Sequence, residues 1–191
     1  MSMTDADLND ALTVLGELLQ DQGQAYEIVL IGGGALLLQR LLDRPTKDLD
    51  MVARIEGDRW VEAEPLPAPL QAAIGDVAAA LDLPDKWLNA RPTLLIRFGL
   101  PEGFGERTTR RIWGSLHVHL AARVDQVALK LYAAVDQGPT SRHFADLRKL
   151  QPTPEELLRS ARWCRTHDPS DGFRQVLRQA LSALGLEVDD V

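Results

Sequence analysis

An α+β fold in two parts is what the amino-acid sequence predicts, and three observations carry it. Short β-rich runs alternate with amphipathic helical stretches over residues 1–122; from Val124 onward strand signals stop and helical periodicity alone continues; and no repeat, low-complexity tract or clear linker interrupts the 191 residues. The expected organisation is an α+β portion over residues 1–122 with a helical portion, residues 123–191, packed on it.

The elements follow in chain order. Thr4 is the expected N-cap of an amphipathic helix over residues 5–22, where Leu8, Ala11, Leu12, Leu15, Leu18 and Leu19 recur at helical spacing before Gly23 closes it. Tyr26 to Ile31 is short and β-rich, and with Gly32, Gly33 and Gly34 behind it reads as a buried strand ending in a glycine turn. Leucines over residues 35–42 predict a buried helix, broken by residues 43–47. Residues 48–53 alternate so that Asp48 and Asp50 share one face of a strand while Leu49 and Met51 take the other. A polar, Pro-rich connector is expected over residues 56–69, then a helix bearing Leu70, Ile74, Val77, Ala78 and Leu81, then an irregular corner at residues 84–89 around Trp87. Residues 93–98 and 112–120 are expected as two antiparallel strands joined by a glycine-rich, basic loop with Arg107, Arg110 and Arg111. Helices over residues 124–135, 142–150, 154–165 and 173–184 complete the chain.

Composition narrows the function. Twenty-eight Asp and Glu against 21 Lys and Arg give a net charge of -7, which argues against the broad phosphate-neutralising face of non-specific DNA binding and leaves a small nucleotide or one end of an RNA. The lone Cys164 excludes a disulfide framework or a Cys-based zinc ribbon, and a reducing cytoplasm is the expected setting. The acidic opening residues predict no secretory leader, and no apolar run approaches the roughly 20 residues that span a bilayer, so no membrane partner is expected.

Strand, glycine turn, helix and Asp-x-Asp strand form one unit over residues 28–52, and its parts suit phosphate chemistry. Glycines let backbone N–H groups approach phosphate oxygens, and a helix N-terminus behind them adds partial positive charge. Two carboxylates two residues apart on a strand project in parallel and offer hard oxygens to Mg2+ or Mn2+ held together with substrate phosphates. An ordinary strand-to-helix turn and a solvated edge-strand face are the competing readings of the same residues.

Gly33-Gly34, thirteen intervening residues and Asp48-Leu49-Asp50 resemble the signature of the DNA polymerase β-like nucleotidyltransferases. Pro84-Asp85-Lys86-Trp87-Leu88-Asn89 is similar to a Trp-Leu-Asn corner of a bacterial branch of small nucleotidyltransferase-like proteins. Lys130-Leu131-Tyr132-Ala133, with Arg142-His143-Phe144-Ala145-Asp146-Leu147, resembles the Lys-Leu-x-Ala and Arg-Asp-x-x-Asp-Leu motifs of AbiEii-like toxins of type IV toxin–antitoxin systems. The resemblance covers most of residues 28–150. It implies a nucleotidyltransferase-like mixed β-sheet with flanking helices and a helical C-terminal portion. It further implies Asp48, Asp50 and Lys130 as catalytic residues, Asp48 and Asp50 as the Mg2+ or Mn2+ pair, and Gly33, Gly34 and Lys130 as nucleotide-binding residues, with Lys130 on the triphosphate. The implied reaction moves a nucleoside monophosphate from an NTP to a hydroxyl of RNA, particularly tRNA, or of protein, and the implied partner is an antitoxin. The alternative is a catalytically degenerate domain that binds a nucleotide or partner without turnover.

That alternative comes from a departure. Active enzymes of this superfamily present a third carboxylate on a later strand, and the expected strand here, Ser115-Leu116-His117-Val118-His119-Leu120, has none. His117 or His119, on its polar face, is the candidate base, with half-exposed strand residues of no role as the other reading. Asp125 suits a helix N-terminus. Lys130, among Val127, Ala128 and Leu131, either snorkels to solvent or reaches into a cleft. Arg142 and Asp146 stand four apart and are either a surface ion pair or, as the resemblance implies, part of the functional site. The three arginines form either a solvated hairpin loop or a phosphate contact, His143 and His167 have no assigned site, and Trp60, Trp87, Trp113 and Trp163 are expected as packing anchors.

Overall fold

A computed structural model describes residues 2–188. The chain divides into two compact units, the first ending at Ala121 and the second starting at Ala122. In the first, α1 (Asp5–Asp21) starts from a reciprocal cap: the Thr4 N–H donates to the Asp7 carboxylate at 2.8 Å and the Asp7 N–H donates to Thr4 Oγ1 at 3.3 Å. Then come β1 (Tyr26–Ile31), α2 (Gly32–Leu38), β2 (Leu49–Glu56), β3 (Arg59–Glu62), α3 (Ala68–Ala80) and the two-residue β4 (Leu88–Asn89). A 3-10 turn (Arg91–Leu94) runs into α4 (Leu95–Phe98), followed by α5 (Phe104–Arg107), β5 (Thr109–Trp113) and β6 (Leu116–Leu120).

The strands form one mixed sheet in the order β3-β2-β1-β6-β5. β1 is antiparallel to β2 and parallel to β6. The edge of β2 away from β1 is shared: residues 53–56 pair with β3, while Leu49 and Asp50 pair with Leu88 and Asn89 of β4. Strand alternation sends Ile28, Leu30, Met51, Leu116, Val118 and Leu120 to one face, buried with Leu8, Leu12 and Leu15 of α1 and with Ile74 and Val77 of α3. Trp87 is wholly buried in this core, and its indole N–H donates to the Ile74 carbonyl at 3.1 Å, tying the corner before β4 to α3. Val29 faces Ala53 but Leu30 faces Met51, so Val52 is the extra residue of a bulge two positions from Asp50.

Several expectations are corrected. Residues 93–98 are helical rather than a strand: Pro92 opens the 3-10 turn, and the buried Thr93 gives its Oγ1 to the Ala63 N–H at 2.8 Å. Leu94 and Phe98, which a half-buried strand would have packed, are exposed. Residues 112–120 are not one strand but parts of two, β5 and β6, antiparallel across a two-residue Gly114-Ser115 turn. Arg110 and Arg111 accordingly lie on β5, and Arg107 ends α5, instead of sharing a loop. The connector over residues 56–69 contains β3, turned back on β2 by Gly57-Asp58. The helix expected over residues 35–42 starts at Gly32 and stops at Leu38, with Arg40 in a left-handed conformation at φ 60°.

The second unit is helical, with α6 (Arg123–Gln137), α7 (Arg142–Leu150), α8 (Pro154–His167) and α9 (Asp171–Ala183). Ser141, Thr153 and Ser170 cap the last three through side-chain oxygens that accept from Phe144, Glu156 and Phe173 N–H groups. Val127, Leu131, Phe144, Leu147, Leu157 and Ala161 make its core, and Tyr132, Trp163, His167 and Phe173 gather into a ring cluster with Trp163 and His167 4.4 Å apart. Of the four tryptophans, Trp87 alone is fully buried. The described residues thus hold a six-stranded mixed sheet and nine helices, none long and apolar enough to cross a membrane.

Cys164 lies in the α8 core with its thiol toward the Ala128 carbonyl at 3.9 Å, and burial pushes its ionisation well above the ordinary thiol range. Because the thiolate is the reactive form, the native protein at mildly alkaline pH is expected to resist a maleimide, with full labelling only after urea unfolding. Labelling of the folded protein at the rate of a free thiol would contradict the packing of α6 on α8.

Candidate active site

The end of β1, the start of α2 and the start of β2 meet at three glycines. Gly32, at φ +80°, occupies the left-handed region, and a Cβ there would lie 2.8 Å from Asp50 Oδ2. Gly34 is bare for a different reason: a Cβ would lie 2.4 Å from Leu49 Cδ2 and 2.8 Å from the Asp48 carbonyl oxygen. Its absence lets α2 sit directly on the start of β2. Gly33 faces Arg44, whose guanidinium would be 3.0 Å from a methyl group placed there.

Asp50 lies on the sheet face opposite the core, between this turn and β4. Asn89 is its ladder partner; the Asn89 side-chain amide donates to the Leu49 carbonyl at 3.2 Å and to Asp50 Oδ1 at 3.4 Å, while Asn89 Oδ1 accepts from the Arg91 N–H at 3.1 Å. The Leu49 N–H donates to the Trp87 carbonyl at 2.6 Å. Trp87 therefore anchors the corner, Leu88 lies beside Leu49, and Asn89 holds a carboxylate. Asp48 precedes β2 instead of lying within it. Its carbonyl accepts from Thr46 Oγ1 at 3.1 Å, and its carboxylate, 16% exposed, faces the 66%-exposed Arg91 side chain at 3.8 Å. Nothing in the sequence pattern singles out Arg44 or Arg91, and Asn89 is marked there only as the last residue of the Trp-Leu-Asn corner.

His117 and His119 lie on β6, across β1 from β2. His119 has both ring nitrogens engaged, Nε2 with Glu27 at 2.6 Å and Nδ1 with Thr108 Oγ1 at 3.0 Å, and His117 Nδ1 meets the Arg110 guanidinium at 2.6 Å. Arg110 is also 3.4 Å from Glu27. Arg111 donates to the Leu38 carbonyl at 2.8 Å, at the C-terminal end of α2, and Arg107 donates to the Glu102 carbonyl at 2.6 Å. All three arginines thus have partners within the first unit.

In the second unit, Lys130 Nζ donates to the Asp146 carboxylate at 2.7 Å, both side chains almost fully buried. Arg142, in the first turn of α7, is exposed while Asp146 is buried, so a surface pair of those two gives way to a buried pair of Asp146 with Lys130, between α7 and α6. Asp125 lies in the first turn of α6, as its sequence position indicated, and is buried.

Among the described residues no three His, Cys, Asp or Glu side chains gather as a ready-made metal centre. Asp48 and Asp50 nonetheless fit a divalent cation shared with substrate phosphates: both are hard oxygen donors, and Asp50 presents its carboxylate against bare backbone.

Two stability measurements probe these contacts. Gly34→Ala is expected to lower the urea-unfolding free energy by about 1–3 kcal/mol, whereas Gly33→Ala, which meets only the movable end of Arg44, should cost less than about 1 kcal/mol. Equal midpoints for the two variants would refute the packing role of Gly34. Lys130→Met or Asp146→Leu alone should cost about 3–5 kcal/mol by stranding a buried charge, and the double variant should recover most of it. Additive losses in the double variant would show that the two do not act as a pair.

Compared with models of known families, the chain matches the nucleotidyl transferase AbiEii toxin of type IV toxin–antitoxin systems over residues 13–184. No curated protein and no solved structure matches it. A match running from α1 through α9 takes in the glycine turn, the Asp48–Asp50 corner and the Lys130–Asp146 pair alike. The chain belongs to the AbiEii nucleotidyl transferase toxin family.

Proposed function

We propose that this protein transfers a nucleoside monophosphate from an NTP to a hydroxyl group of RNA, tRNA first among the acceptors to test, or of protein, and that a cytoplasmic antitoxin partner restrains it. The observation that carries this reading is the placement of Asp50 between bare Gly32 and the Asn89 amide, with Asp48 two residues before it. Carboxylates held beside backbone that a phosphate can approach closely are the parts this reaction asks for.

In the proposed reaction the acceptor oxygen forms a bond to the α-phosphorus, the bond to the leaving pyrophosphate breaks, and the acceptor hydroxyl gives up its proton. Asp48 and Asp50 would hold Mg2+ or Mn2+, which when bound neutralises phosphate charge and polarises the phosphoryl group. Gly33 admits the phosphates to the backbone, and Arg44 beside it offers a charge-assisted donor. The bareness of Gly34 serves packing first, which makes its proposed nucleotide contact secondary. The Asn89 amide holds the Asp50 carboxylate by a hydrogen bond, and the Arg91 guanidinium lends its charge to Asp48 from 3.8 Å. A role for Lys130 on the triphosphate rests on the family resemblance alone. His117 and His119 enter as candidate bases; with both nitrogens of His119 engaged, that role would require His119 to give up its Thr108 contact.

A second reading, nucleotide or partner binding without turnover, is favoured by one observation: an amide, that of Asn89, stands beside Asp50, and no third carboxylate or imidazole joins the pair among the described residues.

One assay separates them. The protein is incubated with each labelled NTP, Mg2+ and total RNA or total protein, and transferred label is followed. Asp50→Asn is expected to reduce transfer by about 100-fold or more with an unchanged melting temperature. Loss of the rise in rate with pH in His117→Ala or His119→Ala would identify the base, and Lys130→Met tests the triphosphate role independently. Absence of transfer by the wild type with all four NTPs and both acceptor pools would favour the binding reading.

A further inference from the structure

The first unit holds a cleft of about 820 Å³ between the β3–α3 connection, α3 and the corner over residues 85–94. Two of the residues lining it, Asn89 and Arg91, are the ones whose side chains face Asp50 and Asp48, so cleft and carboxylates share a wall. Its apolar surface comes chiefly from the half-buried Leu66 and from Leu94, which is 51% exposed, with the edges of the buried Ile74 and Leu88 beneath them. At its rim stand the exposed carboxylates of Glu64 and Asp85 and the ammonium of Lys86. The walls are tied together: the Ala63 N–H donates to Thr93 Oγ1 at 2.8 Å, and Arg97 grips Glu62 through two hydrogen bonds of 2.5 and 2.9 Å.

Gly75, in the middle of the alanine-rich α3, lines this cleft. Glycine is unfavourable in a helix interior, and here no contact within the fold requires it, since a Cβ would meet nothing within 4 Å. The missing side chain leaves a flat stretch of helix backbone as part of the cleft wall.

We propose that this cleft receives a nucleobase bearing an exocyclic amino group, from a substrate whose reacting phosphoryl or hydroxyl group lies at Asp48 and Asp50. The proposal rests on the nucleotidyltransferase reading and names a recognition element for it. A base has two apolar faces and a polar edge. Leucine and isoleucine side chains and bare helix backbone match the faces, and the volume falls within the roughly 300–1,000 Å³ of small-ligand sites. Two carboxylates at the rim accept hydrogen bonds from amino and ring N–H groups, while Lys86 donates to a ring nitrogen or carbonyl. Adenine, cytosine and guanine carry the amino group; uracil, which lacks it, offers the two carboxylates only its single ring N–H. The base belongs either to the NTP or to the last nucleotide of an acceptor strand, and both present the same chemistry.

The test is equilibrium binding, independent of turnover. The full-length wild type, Gly75→Leu and Glu64→Gln/Asp85→Asn are titrated with ATP, CTP, GTP and UTP in Mg2+, and with four-nucleotide RNAs ending in each base. The wild type is expected to prefer at least one amino-bearing probe over its uridine counterpart by about tenfold or more. Gly75→Leu, which adds a side chain to the flat helix wall of the cleft at an open position, should weaken that probe by about tenfold while melting no lower than the wild type. Glu64→Gln/Asp85→Asn should reduce the discrimination against uridine without filling the cleft. Losses confined to the triphosphates assign the donor base; losses confined to the oligonucleotides assign the acceptor base. Unchanged binding of every probe by Gly75→Leu, no discrimination against uridine by the wild type, or no binding of any probe would each overturn the proposal. Failure of the enzymatic reading shows separately, as normal base binding with no label transfer.

Discussion

The approach of Gly34 to the Leu49 side chain and the Asp48 carbonyl is the contact on which the first unit's chemistry depends. Any other residue type would push α2 off the start of β2, because a Cβ would overlap both groups. With α2 seated directly on the start of β2, Gly32 falls against the Asp50 carboxylate. Leu49, held from one side by α2, turns its N–H to the Trp87 carbonyl and draws in the corner that carries Asn89. Close packing transmits this placement, since a dense interior leaves little room for α2 and β2 to shift independently.

Charge is handled differently in the two units. On the sheet face away from the core, Glu27 of β1 gathers His119 and Arg110, and Arg110 in turn meets His117, so polar side chains satisfy one another at a partly solvated surface. In the second unit, Lys130 and Asp146 are removed from water altogether. Such a pair gives back in mutual attraction roughly what it costs to desolvate, so it adds little net stability over apolar residues of the same volume. Both residues stand in the two segments that resemble the family's C-terminal motifs.

The misplaced strands share one cause. Gly57-Asp58 and Gly114-Ser115 are two-residue Gly-x loops of the kind that reverse a chain between antiparallel strands. The first lies in a polar segment and the second inside an apparently continuous apolar alternation, so neither interrupted the hydrophobic pattern. Residues 93–98 have the opposite history: an apolar, β-like composition became helical because Pro92 preset the turn and Thr93 found a tertiary partner in Ala63.

Neighbouring residues alone specified most of the helices and the first strand. Capping residues and 3.6-residue periodicity placed α1, α3 and the four C-terminal helices to within about three residues, and α7 and β1 at their observed limits. Spacing marked Gly33, Gly34, Asp48 and Asp50, because the glycine pair and the Asp-x-Asp are each local and have thirteen residues between them in the chain. Tertiary structure decided what those residues meet. Asn89 reaches Asp50 across 39 positions and Lys130 reaches Asp146 across 16. The pairing of β4 with β2, the seating of Arg44 over Gly33 and the cleft beside α3 also exist only once distant segments have packed. Periodicity reports which way a side chain points from its own backbone; which atom waits there is settled by the burial of residues from elsewhere in the chain.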